Sequence, residues 1–408
     1  MKKIKNITLV AISLAISNLS FGYNHDQKNE GAKQTTSSAS HNKANCAPAS
    51  SKLILEFNDV KALMEPGGLL FLDRANGAAY EVPKGGGVMA IYAGSLWMGG
   101  TDVNGQLKLA AQRFRASGVD FWTGPLTVTG GSGNYDPSSP VGDDARRDFG
   151  EANIIPEQCL AYDKFFSISK AEVTQFKSWF DYSINPVGEE IEAPSNETMN
   201  RINNWPAHGD ITLGQDFYLA PFFDNNTDGV YDPLEGDYPW YDDILGRDDV
   251  TCGVDRRITL FGDETHWWVF NDKGNIHGES GGDPIGMEIR AQAFAFATDD
   301  EINRMTFYNY ELINRGTQTL QDTYFSKYVD ADLGNYNDDY VGCDVTRGLG
   351  YCFNGDQLDE QNTSSIGYGA NPPAIGIDFF EGPYQDADGI DNIGPRDSLE
   401  LDPETNKL

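Results

Sequence analysis

In the stretch DNNTDGVYDPLEGD, residues 224–237, an oxygen-bearing side chain recurs at every second position. Asp224, Asn226 and Asp228 take positions 1, 3 and 5 of a loop, Gly229 position 6 and Glu235 position 12. With the Val230 carbonyl at position 7 and Asp232 at position 9, the segment satisfies the D-x-[DN]-x-[DN]-G-x5-E pattern of a calcium loop. Calcium needs several oxygens at once, and the glycine permits the sharp bend that turns successive side chains inward. The flanks are not those of a helix–loop–helix pair. FYLAPFF precedes the loop and GDYPWYDD follows it, each with a proline, and Pro233 makes a helix that begins inside the loop unnatural. The chemistry is that of a calcium site, while the frame reads as an extended connector pinned by the ion.

Two further acidic groups are weaker. Asp330, Asp332, Asn335, Asn337, Asp338 and Asp339 fall at the end of a strand-like run, and Asp386, Asp388, Asp391 and Asn392 surround Gly389. Each reads equally as a calcium site or as a solvated turn.

Hydrolytic chemistry has two candidates. GESGGDP, residues 278–284, matches G-x-S-x-G, but the elbow needs a helix after the serine, and here Asp283-Pro284 follows. The hydrolase order also needs a histidine after the serine, and the last in the chain is His277. A trypsin-like order would have to use His208 or His266. A glycine-rich turn is the better reading. GDETHWWVF places Asp263 and Glu264 beside His266, Trp267 and Trp268, the ingredients of a glycosidase site. Adjacent strand residues face opposite ways, which reads more simply as a strand start with one tryptophan in the core. No HExxH, CxxC or histidine cluster suggests zinc.

The elements that must position these groups follow from the rest of the chain. Of 408 residues, 62 are acidic and 30 basic, a net charge of −32. Such a field repels phosphate, which excludes nucleic acid as a partner and favours divalent cations. Lys2, Lys3 and Lys5 before the apolar stretch 7–16 make residues 1–22 a signal peptide, too short for a membrane span, and the protein is expected to be secreted or at the cell surface. Residues 23–52 are polar and small, a disordered leader.

A first β domain is expected over 53–135, where Asn76-Gly77 and Asn104-Gly105 read as type I′ hairpin turns. Gly85-Gly86-Gly87 reads as a turn rather than a phosphate cradle. Residues 136–254 are loop-rich and carry the calcium loop, one helix capped by Ser169 with Glu172 at N3, and a shorter helix from Ser195 to Asn203. A β-sandwich-like domain follows over 255–350, with Asn314-Arg315-Gly316-Thr317 turning a long hairpin. Residues 351–408 are Gly- and Asp-rich and read as truncated. The expected fold class is mainly β, antiparallel and sandwich-like. Of the cysteines, Cys343 with Cys352 and Cys159 with Cys252 suit disulfides, and Cys46 is either free or pairs with a missing segment; reduced thiols are the alternative, and spacing leaves the connectivity open.

YEVPKGGGVMAIYAGSLWMGGTDVNGQLKLAAQRFRASGVDFWTGPL and the run from GMEIRAQAFAFATDD to YCFNGD resemble the N-terminal region of large proteins exported by the type IX secretion system. The resemblance spans most of residues 53–395. It implies export through that machinery and a longer chain ending in a β-rich sorting domain. No such tail is recognisable before Leu408, which points to a fragment or a truncated frame. The function expected is a calcium-stabilised surface or extracellular module in adhesion or structure, with a glycan or cell-surface partner. The alternative is an extracellular hydrolase of glycan or peptide using Asp263 and Glu264.

Overall fold

The computed structural model describes residues 7–10, 44–112, 118–127, 152–241, 259–363, 365–380 and 382. The fold is mainly β, built from antiparallel sheets of which one curls into a half-barrel. Its longer strands are β1 (Ala93–Asp102), β2 (Glu264–Asn271), β3 (Met287–Ala295), β4 (Phe307–Asn314), β5 (Leu320–Asp330), β6 (Asp339–Asp344), β7 (Leu349–Asn354) and β8 (Ala374–Asp378). Among the described residues two helices of eight or more residues accompany them, α1 (Lys170–Ile184) and α2 (Asn196–Asn203). Among the described residues no helix is long and apolar enough to cross a membrane.

The largest sheet gathers short strands from residues 53–110 around β1, and β5 joins it by pairing antiparallel with β1, Lys327 opposite Leu96. The second sheet runs β2–β3–β4, all antiparallel, with Trp268 opposite Ala291 and Ala293 opposite Tyr308. The third holds the β6–β7 hairpin and β8, with Ile7–Val10 lying parallel at its edge. One apolar core touches all three sheets, from Leu55, Met64 and Met98 through Phe270 and Ile289 to Cys352 and Ile377. Ring contacts cross it, Phe71 meeting Tyr308 edge-on at 5.6 Å.

Strand β2 is buried along nearly its whole length, because both its faces are covered. The period-2 alternation sends Trp268 and Phe270 into that central core and Trp267 and Val269 into a second one beneath the helices. Both tryptophans are therefore core residues, where one was expected. The helices close the second core as the sequence indicates. Ser169 Oγ accepts the Glu172 amide at 3.2 Å and Glu172 Oε2 accepts the Ser169 amide at 2.9 Å, while Val173 and Phe176 face inward. Ser195 Oγ caps α2 by accepting the Thr198 amide at 3.1 Å, and Arg201 reaches Glu172 at 3.2 Å.

Three expectations are corrected. First, residues 314–317 do not close a hairpin: β4 pairs with β3 and β5 with β1, so the chain changes sheets there. A turn motif marks a bend and leaves the partner strand open, and here the side chain of Arg315 is buried at the bend. Second, Asp73 and Asp102 reset the two Asn-Gly turns. Their carboxylates accept the amides two residues on, Ala75 and Asn104, each at 2.9 Å, and only Gly77 and Gly105 take positive φ. An aspartate in that role favours a type I turn followed by one left-handed glycine. Third, the disulfide is Cys46–Cys159; Cys343 and Cys352 are free, since the β6–β7 register sets Cys343 opposite Gly350 and Cys352 opposite Val341. Cys252 lies outside the described residues. Residues 44–51, polar in composition, are held down: Cys46 N donates to Gly274 O, and Ser50 and Ser51 bond Asp163.

Candidate functional site

The loop 224–235 hangs from a two-stranded clamp in which Phe222 faces Pro239 and Phe223 faces Tyr238, their rings stacked at 4.9 Å. No helix flanks it, as the prolines indicate. Within the loop the Asp224 carboxylate gathers backbone amides, Thr227 and Gly229 at 2.7 Å and Asp228 at 3.3 Å. Thr227 and Gly229 take positive φ, +63° and +82°, which wraps the chain around that carboxylate. Asp228 Oδ1 accepts the Val230 amide at 2.8 Å.

The loop brings three of the expected ligand residues together, although the Asn226 oxygen itself accepts the Asp228 amide at 3.1 Å. Asn226 Nδ2 donates to Asp228 Oδ2 at 3.1 Å and also to Glu235 Oε2, so positions 3, 5 and 12 converge on one amide. A donor bridging two carboxylates occupies the place that suits a cation. Asp232 stands apart. Its carboxylate caps a single 3-10 turn, Pro233–Glu235, by accepting the Leu234 amide at 2.8 Å. Pro233 opens that turn at the position where a missing N–H costs nothing, and no α-helix begins in the loop. The pattern also omits a residue that matters. Asp237, fully buried, accepts the Asn225 and Asp232 amides at 2.8 Å each and ties the two ends of the loop. Burial pushes its carboxyl up from the usual range, with Asp224 and Asp228 adding to the effect. A carboxylate two residues past the pattern, before an aromatic strand, was the available signal.

Among the described residues no three histidine, cysteine or carboxylate side chains are already gathered closely enough to hold a metal. Ligation at the loop would therefore draw Asp224 toward Asn226, Asp228 and Glu235. No known family, curated protein or solved structure matches this chain.

The second acidic group sits between β5 and β6. Asp339 Oδ2 accepts the Leu333 amide at 2.8 Å, and the buried Asp359 accepts those of Asn335 and Tyr368 at 3.1 and 2.6 Å. Burial, with Asp330 and Asp339 near, pushes the Asp332 carboxyl up to about 7. Burial likewise raises Asp339 to about 6, with Asp338 and Asp359 contributing. The third group, residues 386–392, lies outside the described residues.

The hydrolytic candidates come apart. Ser280 Oγ accepts the Gly282 amide at 3.1 Å within its turn and donates to the distant Leu109 O at 3.3 Å, and both ring nitrogens of His277 face backbone carbonyls, Leu109 O and Asp272 O, at 2.7 Å. Asp263 accepts the Ala297 amide at 3.0 Å and borders an open hollow of about 640 Å³ with Lys170, Thr174 and Ser178. Glu264 turns instead toward His266, Oε1 to Nε2 at 3.8 Å. Glu264 does not line that hollow.

His266 is 3 % exposed, with Nδ1 2.8 Å from Ser167 Oγ. Burial, helped by Arg201, lowers its pKa to about 4. A histidine with a depressed folded pKa binds fewer protons when folded than when unfolded, so stability falls as the pH drops from about 6.5 to about 4, and no further below that. The full loss is up to about 3 kcal/mol. Asp332 and Asp339, raised by burial, contribute in the opposite sense over the same range, so the His266 contribution is read as the difference in urea midpoint between the unaltered protein and His266→Gln at steps from pH 7 to pH 4.5. Identical profiles for the two proteins would rule His266 out as the titrating group.

Proposed function

We propose that the chain is an exported, calcium-stabilised β-rich module of the cell surface or extracellular space, acting in adhesion or as a structural unit. The observation that carries the reading is the loop 224–235, where Asn226, Asp228 and Glu235 converge above the Phe223–Tyr238 clamp. An ion there offsets the mutual repulsion of Asp224, Asp228 and Glu235 and pins the exposed side of the loop. The acidity of the chain supports a cation partner, and the lysines before an apolar stretch at the N-terminus support export. The resemblance to type IX cargo supports the same location and implies that machinery as a partner. The divergence of Asp263 and Glu264 gives the hydrolase reading no support.

The test is a thermal melt of the whole chain in calcium and in chelator. Calcium at a hundred times its dissociation constant should add about 2.7 kcal/mol. Asp228→Ala with Glu235→Ala should remove most of that gain. A gain that survives the double substitution would move the ion elsewhere, and no gain in either protein would end the calcium reading.

A further inference from the structure

Below the β6–β7 hairpin four acceptor oxygens are buried with no donor: both carboxylate oxygens of Asp338, Asp339 Oδ1 and Asn354 Oδ1. Asn354 is 7 % exposed and lies directly opposite Asp339 in the antiparallel register, so the two side chains share a face. The Asn354 amide nitrogen is already engaged, donating to Asp356 O and Leu358 O at 3.3 Å each. That fixes the amide orientation: its oxygen, and not its nitrogen, is left facing away from those carbonyls, on the strand face shared with Asp339. The hairpin end is itself pinned, Gly355 N donating to Asp338 O at 2.8 Å.

Buried acceptors without donors carry the full cost of lost hydration, and carboxylates side by side add repulsion. Of the neighbouring groups, the Cys352 thiol and the Leu333 amide relieve Asp339 in part, and nothing among the described residues donates to the Asp338 carboxylate or to the Asn354 amide oxygen. The second oxygen of Asp339 is held by the Leu333 amide, and the charges acting most strongly on Asp332 and Asp339 are other carboxylates, Asp330, Asp338 and Asp359. What satisfies several oxygens at once, without a donor hydrogen, is a hard cation.

We propose a second cation site here, in which a calcium-sized divalent ion draws together Asp338, Asp339 and the Asn354 amide oxygen. The donor set is all oxygen, which selects calcium-like ions over zinc or copper. Two carboxylates and one amide leave coordination positions for backbone carbonyls and water, as calcium tolerates. The ion would lock the end of β5 to the β6–β7 hairpin. The site is independent of the loop at 224–235.

The test is isothermal calorimetry with calcium chloride on the full chain carrying Asp228→Ala and Glu235→Ala, which disables the loop. One calcium should still bind. Adding Asp339→Asn, close in shape but uncharged, should weaken that binding at least about tenfold. The same substitution should raise the melting temperature in chelator, because it removes one buried repulsive charge, which also shows that the variant folds. No heat in the loop-disabled chain, or an affinity unchanged by Asp339→Asn, would overturn the site.

Discussion

Arg315→Met is expected to lower the stability of the protein by about 3–5 kcal/mol, because it strips one partner from a set of four buried charges, with the half-buried Glu311 at its edge 3.9 Å from Arg290. Arg315 Nη2 lies 2.5 Å from Asp216 Oδ2 and 3.3 Å from Glu288 Oε1. Arg290 Nη2 lies 2.7 and 2.9 Å from the same two oxygens. All four side chains are at most 1 % exposed, and Glu288 Oε2 also accepts the Leu126 amide at 2.9 Å. Two positive and two negative groups cancel inside the protein. Burial alone would push the Asp216 carboxyl up, but Arg315 and Arg290 outweigh it and hold it below the usual range. Removing Arg315 leaves one negative charge in excess where water cannot reach. The loss should show as a lower urea midpoint. Asp216→Leu added to Arg315→Met removes a matched pair and should cost less than the two single losses summed. A single-variant loss under about 1 kcal/mol would mean that water enters and screens the cluster.

That cluster also marks how far the sequence could be read. Glu288 and Arg290 stand two apart in GMEIRAQAFAFAT and so share one strand face, a visible sign of charges pointing inward together. Their partners, Asp216 and Arg315, come from segments 72 or more and 25 or more residues away, and nothing local announces them. Helix caps were legible because Ser169 with Glu172 and Ser195 act within one turn. The mainly β class was legible from alternation and turn residues. Sheet membership was not: β5 follows β4 in the chain yet pairs with β1, more than 200 residues earlier. The candidate loop was legible in composition and only partly in geometry. Asn226, Asp228 and Glu235 meet as the spacing implies, whereas Asp232 is turned to cap its own backbone. Asp237, which closes the loop, falls outside the pattern because its partners are backbone amides at both ends.

Breaking the Cys46–Cys159 disulfide should produce the other large loss. The bridge joins residues 113 apart in sequence, each only 2–3 % exposed. For a closed loop of about a hundred residues the chain-entropy account gives about 4.7 kcal/mol of stabilisation, through restriction of the unfolded chain. The folded side has its own share. Cys46 and Cys159 pack with Trp122, Leu126, Ala152 and Ile154 in one small apolar cluster, and the bridge fastens residues 44–51 across it. Losing the link frees that segment to peel from Gly274 and Asp163. Cys46→Ala with Cys159→Ala should lower the melting temperature by about 10 °C. Reductant should bring the unaltered protein close to the same value and leave the double variant unmoved, which separates this bridge from any effect of Cys343 or Cys352. If reductant lowers the midpoint of the unaltered protein by less than about 2 °C, the apolar cluster alone holds the segment and the bridge contributes little.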